Sequence, residues 1–269
     1  MSLRPRITVG RVAIVAAALV TLVAVWLCWQ PIARKAWRIY WGGEVSDAQA
    51  RGRLSARPHA PGLPAPTVGI SRLGLGGDRD GVIYVPPSYR PDRPARVLLM
   101  FHGAGGRGEK TLKYLRVEAD RLGFIIVSPD SREGTWDVVR HELFGPDVAF
   151  VDRALARVFE RVAVDPAQLV VGGFSDGATY ALSLGLANGD LFARVIAFSP
   201  GDVAPGPRVG HPGVFIAHGR ADQVLPFEYA QVIVDDIRRD GYDVDFEIFE
   251  GGHHVAPEMA RRAMDWLGW

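Results

Sequence analysis

The stretch from residue 169 to residue 182 reads LVVGGFSDGATYAL. It starts as a short apolar run, breaks at Gly172 and Gly173, and continues beyond Gly177 in an Ala- and Leu-rich pattern typical of a helix. Ser175 lies between the two patterns in a G-x-S-x-G frame, whose glycines relieve the crowding of a sharp strand-to-helix turn. A glycine-rich chain also contains such frames by chance. A frame between an apolar strand and a helix, however, predicts that Ser175 stands exposed at the top of a sheet.

Apolar runs typical of buried strands recur on both sides of this turn. They cover residues 82–85, 97–101, 124–127, 195–198, 214–217 and 244–249. Helical patterns lie between them: apolar residues recur at a 3.6-residue period from 148 to 162 and from 227 to 239, and Pro257 suits the first turn of a last helix. This alternation predicts an α/β fold over residues 78–269, with a mostly parallel central sheet and helices on both faces.

Composition excludes several classes of protein. The 269 residues are 48% hydrophobic and 23% charged, which is typical of a globular chain and excludes disordered and fibrous proteins. The formal net charge is +1 and the two signs are mixed along the chain, so nothing indicates a nucleic-acid partner. The single cysteine, Cys28, leaves no internal disulfide and no thiolate metal site. We expect no metal or other cofactor, and the sequence leaves the oligomeric state open.

Residues 1–41 resemble a membrane anchor with its flanks. The uncharged run 12–29 would span about 27 Å as a helix, close to the thickness of a bilayer core. Its end, Trp26-Leu27-Cys28-Trp29, is bulky where a cleaved signal peptide needs small residues, so we favour a retained anchor over cleavage. Basic residues on both sides leave the orientation open. We expect an exported domain, because a short N-terminal tail before a lone anchor commonly stays inside.

Residues 42–77 differ from the regions on either side. They contain Gly42-Gly43, an Arg-rich patch and four closely spaced prolines, Pro58, Pro61, Pro64 and Pro66. Proline at this density favours an extended, semi-rigid spacer over a packed element. We therefore predict a linker that holds the following domain off the membrane.

Polar residues follow the predicted strands at their carboxyl ends, where parallel sheets place functional residues. The first such loop, HGAGG at 102–106, has glycines that let main-chain N–H groups point at a ligand. Such groups stabilise the negative oxygen that forms when a nucleophile attacks a carbonyl carbon. We assign this oxyanion role to the N–H groups of Ala104 and of Asp176, the residue after Ser175. The alternative is a plain tight turn.

Two later loops supply an acid and a base for Ser175. Asp222 lies a few residues beyond the strand at 214–217, where a carboxylate can orient a histidine. Asp202 and Asp130 are the alternative candidates for this acid. A loop aspartate alone is weak evidence, since most loop aspartates belong to turns. The sequence Gly251-Gly252-His253-His254 follows the last strand, and a histidine there can reach Ser175 while Asp222 holds its other nitrogen. A metal site is the weaker alternative, because the two histidines lack helical i, i+4 spacing and a third ligand. We interpret three other histidines as surface residues: His59, His141 and His211.

The segments 102–106, 147–186, 218–226 and 251–257 together resemble the serine esterases of the α/β-hydrolase fold. The resemblance covers residues 80–269 and is strongest to the small carboxylesterase, acyl-thioesterase and polyhydroxyalkanoate-depolymerase-like branch. It implies that Ser175 is the nucleophile, Asp222 the acid and His253 the base, with His254 as the alternative base. Many thioesterase relatives have Gln where this chain has Asp176, and the N-terminal anchor lies outside the family pattern.

The resemblance implies a hydrolase that cleaves carboxylic esters or thioesters of small molecules through an acyl-enzyme. The connection 199–213 is short, so the site lacks a large lid and favours accessible esters over interfacial lipolysis. The loop 129–144, with Trp136 and Phe144, forms either a wall of the acyl pocket or packing against the sheet. Two alternatives are a catalytically silent scaffold that binds at the membrane and a peptidase with the same triad.

Overall fold

The computed structural model describes residues 45–269, in which eight strands form one sheet. In chain order the strands are β1 Gly69–Arg72, β2 Gly81–Val85, β3 Ala95–Phe101, β4 Ile125–Pro129, β5 Val164–Phe174, β6 Arg194–Phe198, β7 Gly213–Gly219 and β8 Val244–Phe249. They are arranged β1-β2-β4-β3-β5-β6-β7-β8. The pairs β1–β2 and β2–β4 are antiparallel, and the other pairs are parallel. The predicted mostly parallel sheet is confirmed.

Helices cover both faces of this sheet. They are α1 Leu112–Leu122, α2 Asp137–His141, α3 Pro146–Phe159, α4 Asp176–Ala187, α5 Phe227–Arg239 and α6 Pro257–Leu267, with short 3-10 turns at Gln49–Arg51 and Gly108–Thr111. Both α3 and α6 begin at a proline, which has no N–H to leave unpaired in the first helical turn.

Strand β3 shows how the two faces divide the core. Its side chains alternate: Val97, Leu99 and Phe101 pack in a cluster with residues of α3, α4 and α5, whereas Leu98 and Met100 pack with residues of α1 and α6. All five are fully buried. A strand buried on both faces must be apolar throughout, which is why β3 forms a continuous apolar run in the sequence.

The segment predicted as a linker differs from that prediction in its described part. Residues 46–269 form one compact unit, and β1 within the segment pairs with β2 at the edge of the sheet. Leu54 is buried, Arg53 makes a two-pronged ion pair with Asp190 at 2.8 Å, and the N–H groups of Ser55 and Ala56 donate to Asp152 at 2.8 Å. Proline does favour extended backbone here, but neighbouring N–H groups donate to acceptors on the domain. For the described residues, the predictions of a free spacer and of a domain boundary at residue 78 were therefore wrong.

The predicted anchor at 12–29 lies outside the described residues and stays a prediction, as does an exported domain. Within residues 45–269, no helix combines the length and the apolar character that crossing a bilayer requires.

Candidate active site

Ser175 lies in a sharp turn between β5 and α4. Its backbone has φ 57° and ψ −124°, a strained conformation for a residue with a side chain. Two contacts hold it: the Ser175 N–H donates to Phe198 O at 2.9 Å, and the Ser175 carbonyl accepts from Ala178 N at 2.8 Å, which begins α4. The turn was predicted correctly. The expected exposure was wrong, since Ser175 is only 7% exposed, with Gly103 and His253 against its side chain.

The glycines of the G-x-S-x-G frame are required by close backbone contacts. A Cβ at Gly173 would lie 2.0 Å from Gly177 O, and a Cβ at Gly177 would lie 2.3 Å from Phe101 O. Atoms cannot approach so closely, so any larger residue would push α4 away from the end of β3. The two glycines therefore let the first turn of α4 pack beside the loop that follows β3.

His253 connects Ser175 to Asp222. Its Nε2 lies 2.9 Å from Ser175 Oγ, and its Nδ1 lies 2.7 Å from Asp222 Oδ2. Burial would raise the pKa of the Asp222 carboxyl, but hydrogen bonds from Leu225 N–H, His253 and Val224 N–H outweigh it and bring that pKa below its ordinary value. The ionised carboxylate can only accept, so His253 Nδ1 carries the proton and Nε2 is free to accept from the Ser175 hydroxyl.

The rival residues lie elsewhere. Asp202 is exposed and accepts from the N–H of Val203, while Asp130 accepts from Gly108 N–H and pairs with Arg107. His254 is exposed, with its ring against Phe249. Within residues 45–269, no group of three His, Cys, Asp or Glu residues is placed to hold a metal ion. Of the histidines interpreted as surface residues, His59 and His211 are exposed and His141 is half-buried.

The loop 102–106 lies against Ser175. A Cβ on Gly103 would come within 3.2 Å of Ser175 Cβ. The buried His102 fixes this loop: its Nδ1 donates to Gly103 O at 2.8 Å, and its Nε2 accepts from Ser131 N–H at 3.0 Å. Burial lowers the pKa of His102, so the ring is neutral, as this pair of contacts requires. This role of His102 was not predicted from the sequence.

The two N–H groups assigned to the oxyanion lie at the same edge of the sheet as Ser175, at the carboxyl ends of the strands. Asp176 is the first residue of α4, where N–H groups have no partner within the helix, and Ala104 is exposed in the loop against Ser175. Among the described residues, neither N–H donates to a backbone carbonyl. The Asp176 carboxylate accepts a hydrogen bond from the Thr135 hydroxyl. The oxyanion assignment stays a prediction.

Aromatic residues surround the site in a way that the sequence only partly indicated. Trp136 is fully buried, stacks on Tyr180 with 4.6 Å between ring centroids, and donates to His102 O at 2.8 Å. It therefore packs beneath the site and is not an open pocket wall, and Phe144 is likewise buried. Phe174, whose role was not predicted, packs on the His253 ring with 4.8 Å between ring centroids. Its position directly before Ser175 is the one sequence feature that could have indicated a place beside the proposed base.

Comparisons with known proteins agree with this architecture. A family model described as "Putative esterase" matches residues 73–207, half of the chain, and one described as "Phospholipase/Carboxylesterase" matches residues 148–267. The probable feruloyl esterase C of Aspergillus oryzae is 25% identical over 215 residues, covering 67% of this chain and 78% of that protein. Feruloyl esterase C of Emericella nidulans is 25% identical over 228 residues, covering 72% and 82%.

The solved structure of esterase PE8 has the same fold. It aligns with a TM-score of 0.58 and 23% identity, covering 75% of this chain and 99% of that one. S-formylglutathione hydrolase of Staphylococcus aureus aligns with a TM-score of 0.58 and 14% identity, covering 79% and 99%. With the fold, the serine turn and the family models in agreement, the chain belongs to the serine esterases of the α/β-hydrolase fold and is a carboxylesterase-type hydrolase.

Proposed function

We propose that this esterase works through a triad of Ser175, His253 and Asp222 and an acyl-enzyme on Ser175. The observation that supports it best is the continuous chain of hydrogen bonds from Asp222 through His253 to Ser175 Oγ, at 2.7 and 2.9 Å. These hydrogen bonds also argue against a catalytically silent scaffold. Such a scaffold is expected to lack at least one of the three groups, and all three are present here.

In the proposed mechanism, His253 Nε2 takes the hydroxyl proton as Ser175 Oγ attacks the ester carbonyl carbon. The N–H groups of Ala104 and Asp176 bind the developing oxyanion. His253 then gives the proton to the alcohol oxygen, which leaves, and the acyl group stays on Oγ. Water repeats the cycle: His253 takes its proton, the hydroxyl attacks the acyl-enzyme, and the carboxylic acid departs as Oγ regains the proton. Asp222 stays ionised throughout and stabilises the imidazolium.

We propose small, accessible carboxylic esters as the substrate class, with hydroxycinnamoyl esters as the first to test. Two features support this: the short connection 199–213 carries no large lid, and the two feruloyl esterases C compared above match 67% and 72% of this chain. Thioesters are a second candidate, because the acyl-protein thioesterase 1 of Neurospora crassa is 31% identical over 110 residues, covering 37% of this chain and 45% of that protein.

A panel of substrates tests this class. It contains methyl ferulate, p-nitrophenyl acetate, a butyryl thioester and an emulsified long-chain triglyceride, each assayed with Ser175→Ala as the blank. We expect the highest kcat/KM on the soluble oxygen esters. A clear preference for the triglyceride would contradict a site without a large lid, and a preference for the thioester would select the second candidate.

The pH dependence of the best substrate follows from the proposed base. A histidine accepts a proton only when it is neutral, so kcat/KM should rise roughly tenfold per pH unit on the acid side and level off between about pH 6 and 8. Because the pKa of Asp222 lies below its ordinary value, Asp222 is ionised over this whole range and adds no second ionisation. Stopped assays at constant ionic strength measure the profile. A flat profile from pH 5 to 8 would exclude a histidine base.

A further inference from the structure

His218 is a fully buried histidine beside the proposed acid. It lies near the end of β7, directly before Gly219, and its side chain has no exposed surface. The chain then turns through the acid loop, residues 219–226, which brings Asp222 back toward the same ring. The mechanism proposed above gives His218 no task.

The hydrogen bonds of His218 fix its tautomer. Its Nε2 lies 2.9 Å from Leu225 O, and a carbonyl oxygen can only accept, so Nε2 carries the proton. The Nδ1 atom is buried and has no hydrogen-bond partner among the described residues. Burial lowers the pKa of His218, which agrees with a neutral ring that has one donor.

The same Nε2–H also faces the proposed acid. The nitrogen lies 3.4 Å from Asp222 Oδ2, the oxygen that accepts the hydrogen bond from His253 Nδ1 at 2.7 Å. At 3.4 Å the contact is longer than a full hydrogen bond, so its effect on Oδ2 is electrostatic and the direct bond is to Leu225 O. Within residues 45–269, the other titratable groups that act on this ring are His253 and Glu228, which lies at the start of α5.

The bond to Leu225 matters because Leu225 holds the other oxygen of Asp222. The N–H groups of Val224 and Leu225 both donate to Asp222 Oδ1, each at 2.9 Å. One carboxylate oxygen is thus held by the acid loop, and the loop is held in turn by His218. Rotation of Asp222 away from His253 would require this loop to move.

We propose that His218 is a positioning residue for the esterase reaction. Its Nε2–H anchors the acid loop through Leu225 O, and the dipole of the same N–H, 3.4 Å from Asp222 Oδ2, offsets part of the charge on that oxygen. The inference rests on the proposed triad. Without the Nε2–H the acid loop is held less firmly, so Asp222 orients His253 less well. The charge on Asp222 Oδ2 is also less compensated, so that oxygen stabilises the protonated form of His253 more strongly. Loss of the Nε2–H should therefore lower kcat and move the pH profile to higher pH.

The test compares two amide replacements. In His218→Gln the amide nitrogen reaches about as far as Nε2 and can donate to Leu225 O, whereas in His218→Asn the shorter side chain cannot. Active sites are counted by titration with a fluorophosphonate, and kcat per titrated site is measured from pH 5 to 9. The control is Val214→Ala, which truncates a buried residue at the other end of β7.

We expect His218→Asn to lower kcat per site about 10- to 100-fold, with KM within about twofold and the midpoint of the pH profile shifted upward. His218→Gln should recover most of the rate and the wild-type midpoint, and Val214→Ala should lower only thermal stability. An unchanged kcat and midpoint in His218→Asn, or equal losses in both amide variants, would overturn the inference.

A second measurement uses the unmodified protein. Nitrogen NMR at pH 6 should show His218 as the neutral Nε2–H tautomer, and a protonated ring would also overturn the inference. Failure of the triad itself would differ, because the wild-type protein would then not be titrated at all.

Discussion

Ser175→Ala should remove esterase activity, lowering kcat by about six orders of magnitude to a residual rate from binding and oxyanion stabilisation alone. Alanine has no atom that can attack the carbonyl carbon. The fold should survive, because the strained turn is held by the backbone contacts of Ser175 with Phe198 and Ala178 and not by Oγ. Initial rates on a soluble ester, with enzyme concentrations matched by absorbance, measure the effect.

The matched control is Ser183→Ala, a serine two turns further along α4. Its hydroxyl donates to Thr179 O and accepts from Ala204 N–H, so its loss removes hydrogen bonds worth about 1 kcal/mol each without touching the site. We expect it to lower the melting temperature and to keep kcat within a few-fold of wild type. Activity of Ser175→Ala above about a hundredth of the wild-type rate would require another nucleophile.

Asp222→Asn should lower kcat by about four orders of magnitude with little change in KM. The reason lies in the two oxygens of Asp222: Oδ1 accepts from two backbone N–H groups, whereas Oδ2 faces His253. The amide oxygen of asparagine will occupy the Oδ1 position, so its NH₂ group faces His253 Nδ1. The imidazole must then carry its proton on Nε2, where it can no longer accept from Ser175.

Asp202→Asn is the control for this prediction, since Asp202 is the rival acid on the preceding loop and is exposed. It should stay within about twofold of wild type in both kcat and KM. A large loss in Asp202→Asn combined with a small loss in Asp222→Asn would exchange the two assignments.

Much of the candidate site could be predicted because its parts belong to local patterns. The helix predicted at 227–239 and the strand predicted at 244–249 match α5 and β8, and the loops that carry Asp222 and His253 follow β7 and β8. In a parallel sheet, loops at the carboxyl ends of neighbouring strands must meet. Chain order alone therefore brought Ser175, Asp222 and His253 to one edge.

The supporting residues could not be predicted because their roles depend on distant partners. His102 is fixed by the N–H of Ser131, 29 residues away, and Trp136 packs on Tyr180 across the loop and α4. The sequence shows a histidine after a strand or a tryptophan in a loop, but not which acceptor or ring it meets. The sequence therefore allows Trp136 to be either a pocket wall or packing, and the structure shows packing.

The linker prediction was wrong in its described part for the same reason. Proline content correctly indicates an extended chain between residues 53 and 68, without helix or strand. Whether an extended chain is free or attached depends on acceptors elsewhere, here Asp152, 97 residues beyond Ser55, and Asp190, 137 residues beyond Arg53. Local composition contains no information on these contacts.

Mapping the covalent site of a fluorophosphonate tests the central claim most directly. The intact protein is labelled, its mass is measured, and the modified residue is located by peptide sequencing. We predict one label per chain, carried by Ser175, with labelling absent in Ser175→Ala, strongly slowed in Asp222→Asn and unchanged in Ser183→Ala. A label on any other residue, or no label on the folded wild-type protein, would contradict Ser175 as the nucleophile.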